Sequence, residues 1–400
     1  MKILYLAHLF PLPMDSGAKL HTYYYLTALA QKHDVHVVAY VRYDEEKRSI
    51  PEVGSICSKL TVVPLCRGRF RQFSDAMASL VSRTSFIVSR DFRQEMSEAV
   101  RSEVDDFKPD LVYIDHLQMA QFVDAKWRCK MVLDHHNVES MIIKRIAATS
   151  SNPLVRMYAR VEWPKLLRYE LEVCKNCDLV LTVTDEDKAI LQNLAPEIRS
   201  IHSLPVGVDL DYFGTVHRDE HSNNVLSIAT MFWPPNVDSM LYFYKDIFPL
   251  VLREVPDCRL TIAGQRPVPS IQALSADPRV AVTGYVDDVR TVARDCGVFI
   301  VPLLSGSGLR QKILNALAMG LPIVSTSIGA EGIEVVPGEN VLIADTPQEF
   351  ARAVVAVLRD PELATRLGES GRQLVRDKYS RESVCSRLLS ILDQHFPQAT

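Results

Sequence analysis

Short apolar, β-branched runs recur along this chain with helical patterns between them, and the series is interrupted once. Seven runs come first: "KILYLA", "VHVVAYV", "LTVVPL", "LVYID", "KMVLDHH", "LVLTVT" and "IHSLPVG". Between the first two, "GAKLHTYYYLTALAQ" reads as a helix. The stretch "DLDYFGTVHRDEHSNN", polar with a Gly and paired Asn, reads as a linker. Six more runs follow: "VLSIAT", "RLTIAG", "VAVTG", "GVFIVPL", "PIVSTS" and "NVLIAD". Strand alternating with helix argues a parallel sheet covered on both faces, and two series argue two sheets. Ligands of such sheets bind outside the carboxyl ends of the strands, so chemistry is expected in the loops that follow them. The expected architecture is α/β: Rossmann-like domains over residues 1–213 and 225–378, a linker over 214–224, and a closing helix over 379–400. That helix carries Val384, Leu388, Leu389 and Leu392 on an apolar stripe, which needs a surface to pack on and is expected to return to the N-terminal domain.

Bulk properties exclude several classes. Four hundred residues suit two domains. With 45 Lys and Arg against 49 Asp and Glu, the net charge of -4 argues against a nucleic-acid partner. The longest apolar runs are too short for a membrane span, and "MKILYLAHLF" lacks the pattern of a cleavable signal, so a cytoplasmic protein is expected. Eight scattered cysteines form no disulfide framework, and the pair Cys174 and Cys177 has no further metal-ligand partners at recognisable spacing. Neither "LAHLFPLPMDSG" nor "IATMFWPPN" contains G-x-G-x-x-G, which disfavours a nicotinamide dehydrogenase.

Five segments in order carry a resemblance: "FPLPMDSGAKLHTYYYLTAL", "LDHHNVES", "LPVGVDLDYF", "GYVDDVR" and "GSGLRQKILNALAMGLPIVSTSIGAEGI". The chain resembles retaining glycosyltransferases of the GT-B fold, family 4, and within them the bacterial sugar transferases associated with exosortase and exopolysaccharide clusters. The resemblance implies two Rossmann-like domains facing across a cleft. It implies transfer of a sugar from a UDP- or GDP-linked donor to a glycan or lipid-linked acceptor, with retention and without a metal or other cofactor. The C-terminal domain would hold the donor and the N-terminal one mainly the acceptor.

Residue by residue, "GSGLRQK" is the strongest segment. A leaving nucleoside diphosphate gathers negative charge and needs fixed donors aimed at it. Gly306 and Gly308, with Ser307 and Leu309 between and beside them, allow close backbone approach; Arg310 offers a two-bond grip and Lys312 a point charge. The family's two glutamates, eight positions apart, are replaced by Ser307 and Asn315, and Asn315 is expected to contact the ribose without charge assistance. This departure keeps a non-catalytic nucleotide-sugar-binding relative as the rival reading. The loop "TMFWPPNVDSM" lacks the basic pair that many members carry, which leaves the phosphate charge to Arg310 and Lys312. Gly284, Tyr285 and Val286 are the expected donor contacts in "GYVDDVR". Ser16 and Gly17 would pass under the donor phosphates, or simply cap and open a helix.

His116, after "LVYID", would face the cleft as a catalytic contact to the donor sugar. His135, His136, Asn137 and Glu139 are expected to form an acceptor-side polar cluster. Adjacent histidines on an extended chain point to opposite faces and do not readily share a metal. The D-x-D pairs Asp185 with Asp187 and Asp209 with Asp211 fall at turns or helix starts and are given no metal role. Residues 67 to 93 hold six Arg against two Asp, which suits either an anionic membrane surface or a solvated basic helix pair.

Overall fold

The computed structural model describes residues 1–397 except 15, 67–78, 80, 81, 83, 150, 151 and 306–308. The chain forms two compact units, Met1–Val206 with Cys385–Thr400, and Gly207–Val384. The first is built on seven strands: β1 (Lys2–Ala7), β2 (Asp34–Val41), β3 (Lys59–Pro64), β4 (Leu111–Asp115), β5 (Lys130–His135), β6 (Leu179–Thr182) and β7 (Ile201–Ser203). They pair in the order β3-β2-β1-β4-β5-β6-β7, every pair parallel. The second contains β8 (Asn224–Ile228), β9 (Arg259–Ala263), β10 (Val280–Gly284), β11 (Val298–Val301), β12 (Ile323–Ser325) and β13 (Leu342–Ile343). Their order is β10-β9-β8-β11-β12-β13, again all parallel. Central strands such as β4 and β11 are buried throughout, because helices cover both faces, and so they read as unbroken apolar runs.

Each of the thirteen runs read from the sequence lies on one of these strands. The order reverses between β1 and β4 in the first sheet, and between β8 and β11 in the second. Adjacent strands there send their connections to opposite sides, which opens a crevice at their carboxyl ends.

The units divide between Val206 and Gly207, ahead of the expected break at 213. Residues that looked like a linker are held in the second unit. The Val208 N–H donates to the Tyr379 carbonyl at 2.8 Å, and the Arg290 guanidinium lies 3.9 Å from the Tyr212 ring centroid. Asp219 N–H donates to the Arg294 carbonyl at 2.8 Å. The closing helix spans Arg381–His395 and belongs to the first unit from Cys385 on, with Leu388 and Leu392 fully buried and His395 hydrogen-bonded to Ser200 at 2.8 Å.

Cys174 and Cys177 lie at the end of the helix Pro153–Asn176, where burial pushes the Cys177 thiol up to about 12 and Cys174 in the same direction. Both are protonated packing residues. Among the described residues no helix is long and apolar enough to cross a membrane.

Gly264, just after β9, holds the rim of the second sheet together. Its φ is 151°, its N–H donates to the Gly284 carbonyl at 2.9 Å, and a Cβ there would lie 1.6 Å from the Ala229 carbonyl oxygen. Backbone cannot yield as a flexible side chain can, so Gly264→Ala is expected to cost ~3 kcal/mol or more in urea unfolding. Gly17→Ala, with nothing within 4 Å of the added carbon, should stay within about 0.5 kcal/mol. Equal midpoints for the two variants would contradict this account.

Candidate functional site

The switch point of the second sheet carries a cleft of about 340 Å³, lined by Thr230 and Trp233 after β8, Asn236 on the next helix, and Ser305, Leu309, Arg310 and Lys312 after β11. Two helices shape it. The helix Pro234–Tyr242 starts with two prolines, whose fixed φ suits a first turn. The helix Gln311–Ala318 follows Arg310 and buries Ile313, Leu314 and Leu317, which fixes Lys312 on its outer side toward the cleft.

Lys312 Nζ donates to Asn236 Oδ1 at 3.0 Å, and Asn236 Nδ2 donates to the Thr230 carbonyl at 3.0 Å. The second bond sets the amide so that its oxygen faces the ammonium. Crowding by protein, and then the Arg310 charge, lowers Lys312 to about 7. Among the described residues no carboxylate pairs with it. Arg310 is 8% exposed and donates to the Ile328 carbonyl at 3.4 Å. Its guanidinium also lies 3.8 Å from the Glu331 carboxylate, so an acid stands beside it. The cleft therefore concentrates two cationic side chains at a place where an anion can enter.

The structure brings Leu309, Arg310 and Lys312 together and leaves other expected donor contacts apart from this cleft. Gly306, Ser307 and Gly308 lie outside the described residues. Asn315 does not line the cleft; its carbonyl accepts from Gln311 Nε2 one turn back at 3.2 Å. Gly284, Tyr285 and Val286 follow β10, two strands from β8, and do not line it either. Sequence reasoning missed Thr230 and Asn236. The signal available was the "PPN" after β8, in the loop already noted for lacking a basic residue.

The switch point of the first sheet holds a buried network centred on two carboxylates. Asp115, at the end of β4, accepts from His136 Nε2 at 2.7 Å, Thr22 at 2.6 Å and Tyr5 at 3.2 Å, and lies 2.9 Å from His116 Nδ1. Asp134, on β5, accepts from His21 Nε2 at 2.8 Å and Tyr113 at 2.7 Å. The His116 and His136 rings stack with centroids 3.7 Å apart. Burial lowers His136 to about 4, helped by the charges of His116 and His21, so it stays neutral. For His116 burial pulls downward, but the Asp115 carboxylate outweighs it and raises the imidazole. Burial alone would raise Asp115; the two histidines hold it well below the usual carboxylate range. The centre thus sets one carboxylate between two imidazoles, one of which it holds up while burial keeps the other neutral.

His116 is 8% exposed with φ 75°, its ring turned into the network rather than out on a loop. His135 is buried against Glu170 at 3.1 Å, on the face opposite His136, as strand alternation requires. Glu139 accepts from Gln118 Nε2 at 2.9 Å and donates its N–H to Glu170 at 2.7 Å. Of the four expected acceptor-side residues only Asn137 is exposed. Two sets, His21 with Asp134 and His136, and Asp115 with His116 and His136, could each present ligand atoms to a metal within 4.8 Å of one another. The hydrogen bonds just described already engage the Asp115 lone pairs.

Ser16 caps the helix Gly17–Lys32 by accepting from the Lys19 N–H at 3.4 Å, and Gly17 faces open space. Asp209 caps a short helix through the Tyr212 N–H, and Asp185 accepts from Ser203. In the basic stretch, Arg67, Arg69, Arg71 and Arg83 lie outside the described residues. Arg93 is buried and donates to the carbonyls of Cys66, Arg90 and Phe92, so it is not a surface charge.

Comparison with known proteins agrees with this geometry. The family described as "Glycosyltransferase Family 4" matches residues 16–212, and "Glycosyl transferases group 1" matches residues 222–360. An uncharacterised 44.6 kDa protein of the cps region of Klebsiella pneumoniae is 26% identical over 182 residues, 42% of this chain and 46% of that one. The lipopolysaccharide core biosynthesis glycosyltransferase LpsE of Rhizobium meliloti (strain 1021) is 33% identical over 121 residues, 30% of this chain and 35% of its own length. The matched stretches thus span less than half of either relative. The crystal structure of HepE from Anabaena in complex with UDP superimposes with a TM-score of 0.67 at 13% identity, covering 98% of this chain and 100% of that one. Two parallel sheets, each with a crevice at its switch point, and matches of both halves to glycosyltransferase families give this chain the GT-B fold.

Proposed function

We propose that the chain transfers a sugar, with retention, from a UDP- or GDP-linked donor to a glycan or lipid-linked acceptor of bacterial surface or extracellular polysaccharide, as a cytoplasmic enzyme. The observation that carries this reading is the pairing of Arg310 with Lys312 in the β8/β11 cleft, where Asn236 holds the ammonium in place. A structural relative that binds UDP, and relatives named for polysaccharide or lipopolysaccharide synthesis, support the substrate class.

As the glycosidic bond breaks, charge builds on the departing diphosphate. Arg310 can meet two of its oxygens in parallel, and Lys312 supplies a third contact from the adjacent turn. These contacts strengthen toward the transition state, so they act on kcat more than on ground-state binding. In this reading the positive charge comes from side chains and no metal is needed. The buried Asp115 network would fix the orientation of His116 at the first sheet's switch point, where its ring N–H could donate to a sugar hydroxyl.

A second reading, a nucleotide-sugar binder without transfer, draws on Asn315, which bonds Gln311 rather than lining the cleft. Single-turnover transfer at saturating donor separates the two. Arg310→Ala and Lys312→Ala should each lose on the order of 10² to 10³ in rate while remaining folded. Near wild-type rates in both variants would move the diphosphate elsewhere; no transfer by the wild type with any nucleotide sugar that it binds would favour the binder.

Proton linkage gives an independent test. Free Lys312 titrates near 7, and a bound diphosphate raises it, so binding at pH 7 to 8 takes up a fraction of a proton. Above the range in which the diphosphate itself takes up a proton, affinity for UDP or GDP falls as pH rises from the free Lys312 value toward the bound one. Calorimetry in buffers of different ionisation enthalpy should show this uptake in the wild type and not in Lys312→Met. Buffer-independent heats in the wild type would contradict it.

A further inference from the structure

The helix Pro153–Asn176 buries one face and leaves the opposite face uncovered. Ala159, Glu162, Leu166 and Glu170 are buried on the inner side. Leu154, Met157 and Val161 follow the three- and four-residue spacing of the other side, and they are 71%, 62% and 38% exposed. Pro164 and Arg168 continue that line and are exposed, and Arg156 and Arg160 flank it, also exposed.

The charges on this face all have one sign. The acids among residues 153–171, Glu162 and Glu170, are turned inward, where Glu162 accepts from Ser85 and from the Phe86 N–H, and Glu170 from the Glu139 N–H. Among the described residues Arg156, Arg160 and Arg168 make no ion pair. An apolar stripe facing water next to unpaired arginines marks a contact surface.

The occupant must be apolar at depth and anionic at its surface. A second copy meeting this face with its own would set Arg156 and Arg160 against their equivalents. Nucleic-acid phosphates would satisfy the arginines but leave Leu154, Met157 and Val161 in water. We propose that this helix seats the first unit on an anionic bilayer surface, with Leu154, Met157 and Val161 below the headgroups and Arg156, Arg160 and Arg168 among them. The proposal goes beyond the transferase reading and assigns the contact to a different segment from the basic stretch at 67–93. Its test involves no sugar transfer, so it can fail without the transferase reading failing, and the reverse.

The experiment is co-sedimentation of the full chain with vesicles of phosphatidylcholine alone and of phosphatidylcholine mixed with phosphatidylserine. Binding is expected to the mixed vesicles and to weaken as salt rises. Arg156→Gln with Arg160→Gln should lower affinity on the order of 30-fold. Leu154→Ser with Met157→Ser should lower it on the order of tenfold or more, at an unchanged melting temperature, because these exposed side chains support no core. Three results would overturn the proposal. One is no binding to mixed vesicles. Another is binding that both double variants retain while Arg67→Ser, Arg69→Ser and Arg71→Ser together abolish it. The third is a dimer in sedimentation velocity that the double variants dissolve, which would assign the face to a second copy.

Discussion

All strands in each sheet run in one direction, and most of what this protein can do depends on that. A parallel strand needs a crossover, so every loop that follows a strand emerges on the same edge as its neighbours. Where the strand order reverses, neighbouring loops diverge and leave a crevice. In the second sheet this places Thr230 after β8 and Arg310 after β11, far apart in sequence, on one cleft. In the first it gathers Asp115 at the end of β4 with His136 just past β5 and Thr22 from the helix that follows β1.

The two crevices treat charge differently. In the first, the carboxylates are well supplied with partners: Asp115 meets His136, Thr22, Tyr5 and His116, while Asp134 meets His21 and Tyr113. Burial of a charge is tolerable only when such partners replace its hydration, and a network satisfied in this way is rigid. In the second, Lys312 faces a neutral amide and a neighbouring arginine, and its ammonium is destabilised. A destabilised cation in an open cleft gains more from an arriving anion than a solvated one does. One crevice meets its buried carboxylates with partners from within the unit; the other sets two cationic side chains side by side at an open cleft.

Much of the site was legible where it depended on neighbours in sequence. Arg310 and Lys312 follow β11 directly, so a strand and the start of a helix were enough to place them. Asn315 was read without its neighbour one turn back: residues 311 and 315 also share a helical face, and Gln311 donates to its carbonyl. Glu331 was missed because a turn after β12 brings it back to Arg310. The polar stretch from Asp209 was read as linker, yet Tyr212 and Asp219 dock through Arg290 and Arg294. Polarity alone does not distinguish a free segment from one fixed by surface hydrogen bonds.

The sequence by itself determined the strands, their two series, the parallel class of both sheets and the loops in which chemistry would lie. It could do so because side-chain period and chain direction are local properties, written in adjacent residues. Only the tertiary structure decided which loops share a crevice and which histidines are buried. His21 and Asp134 are 113 positions apart, and whether they meet is set by packing of the first helix on the sheet. The titration of Lys312 likewise depends on Arg310 and on how much water the folded cleft admits. Protonation and partner choice follow from distance and burial, and neither exists until the chain has closed on itself.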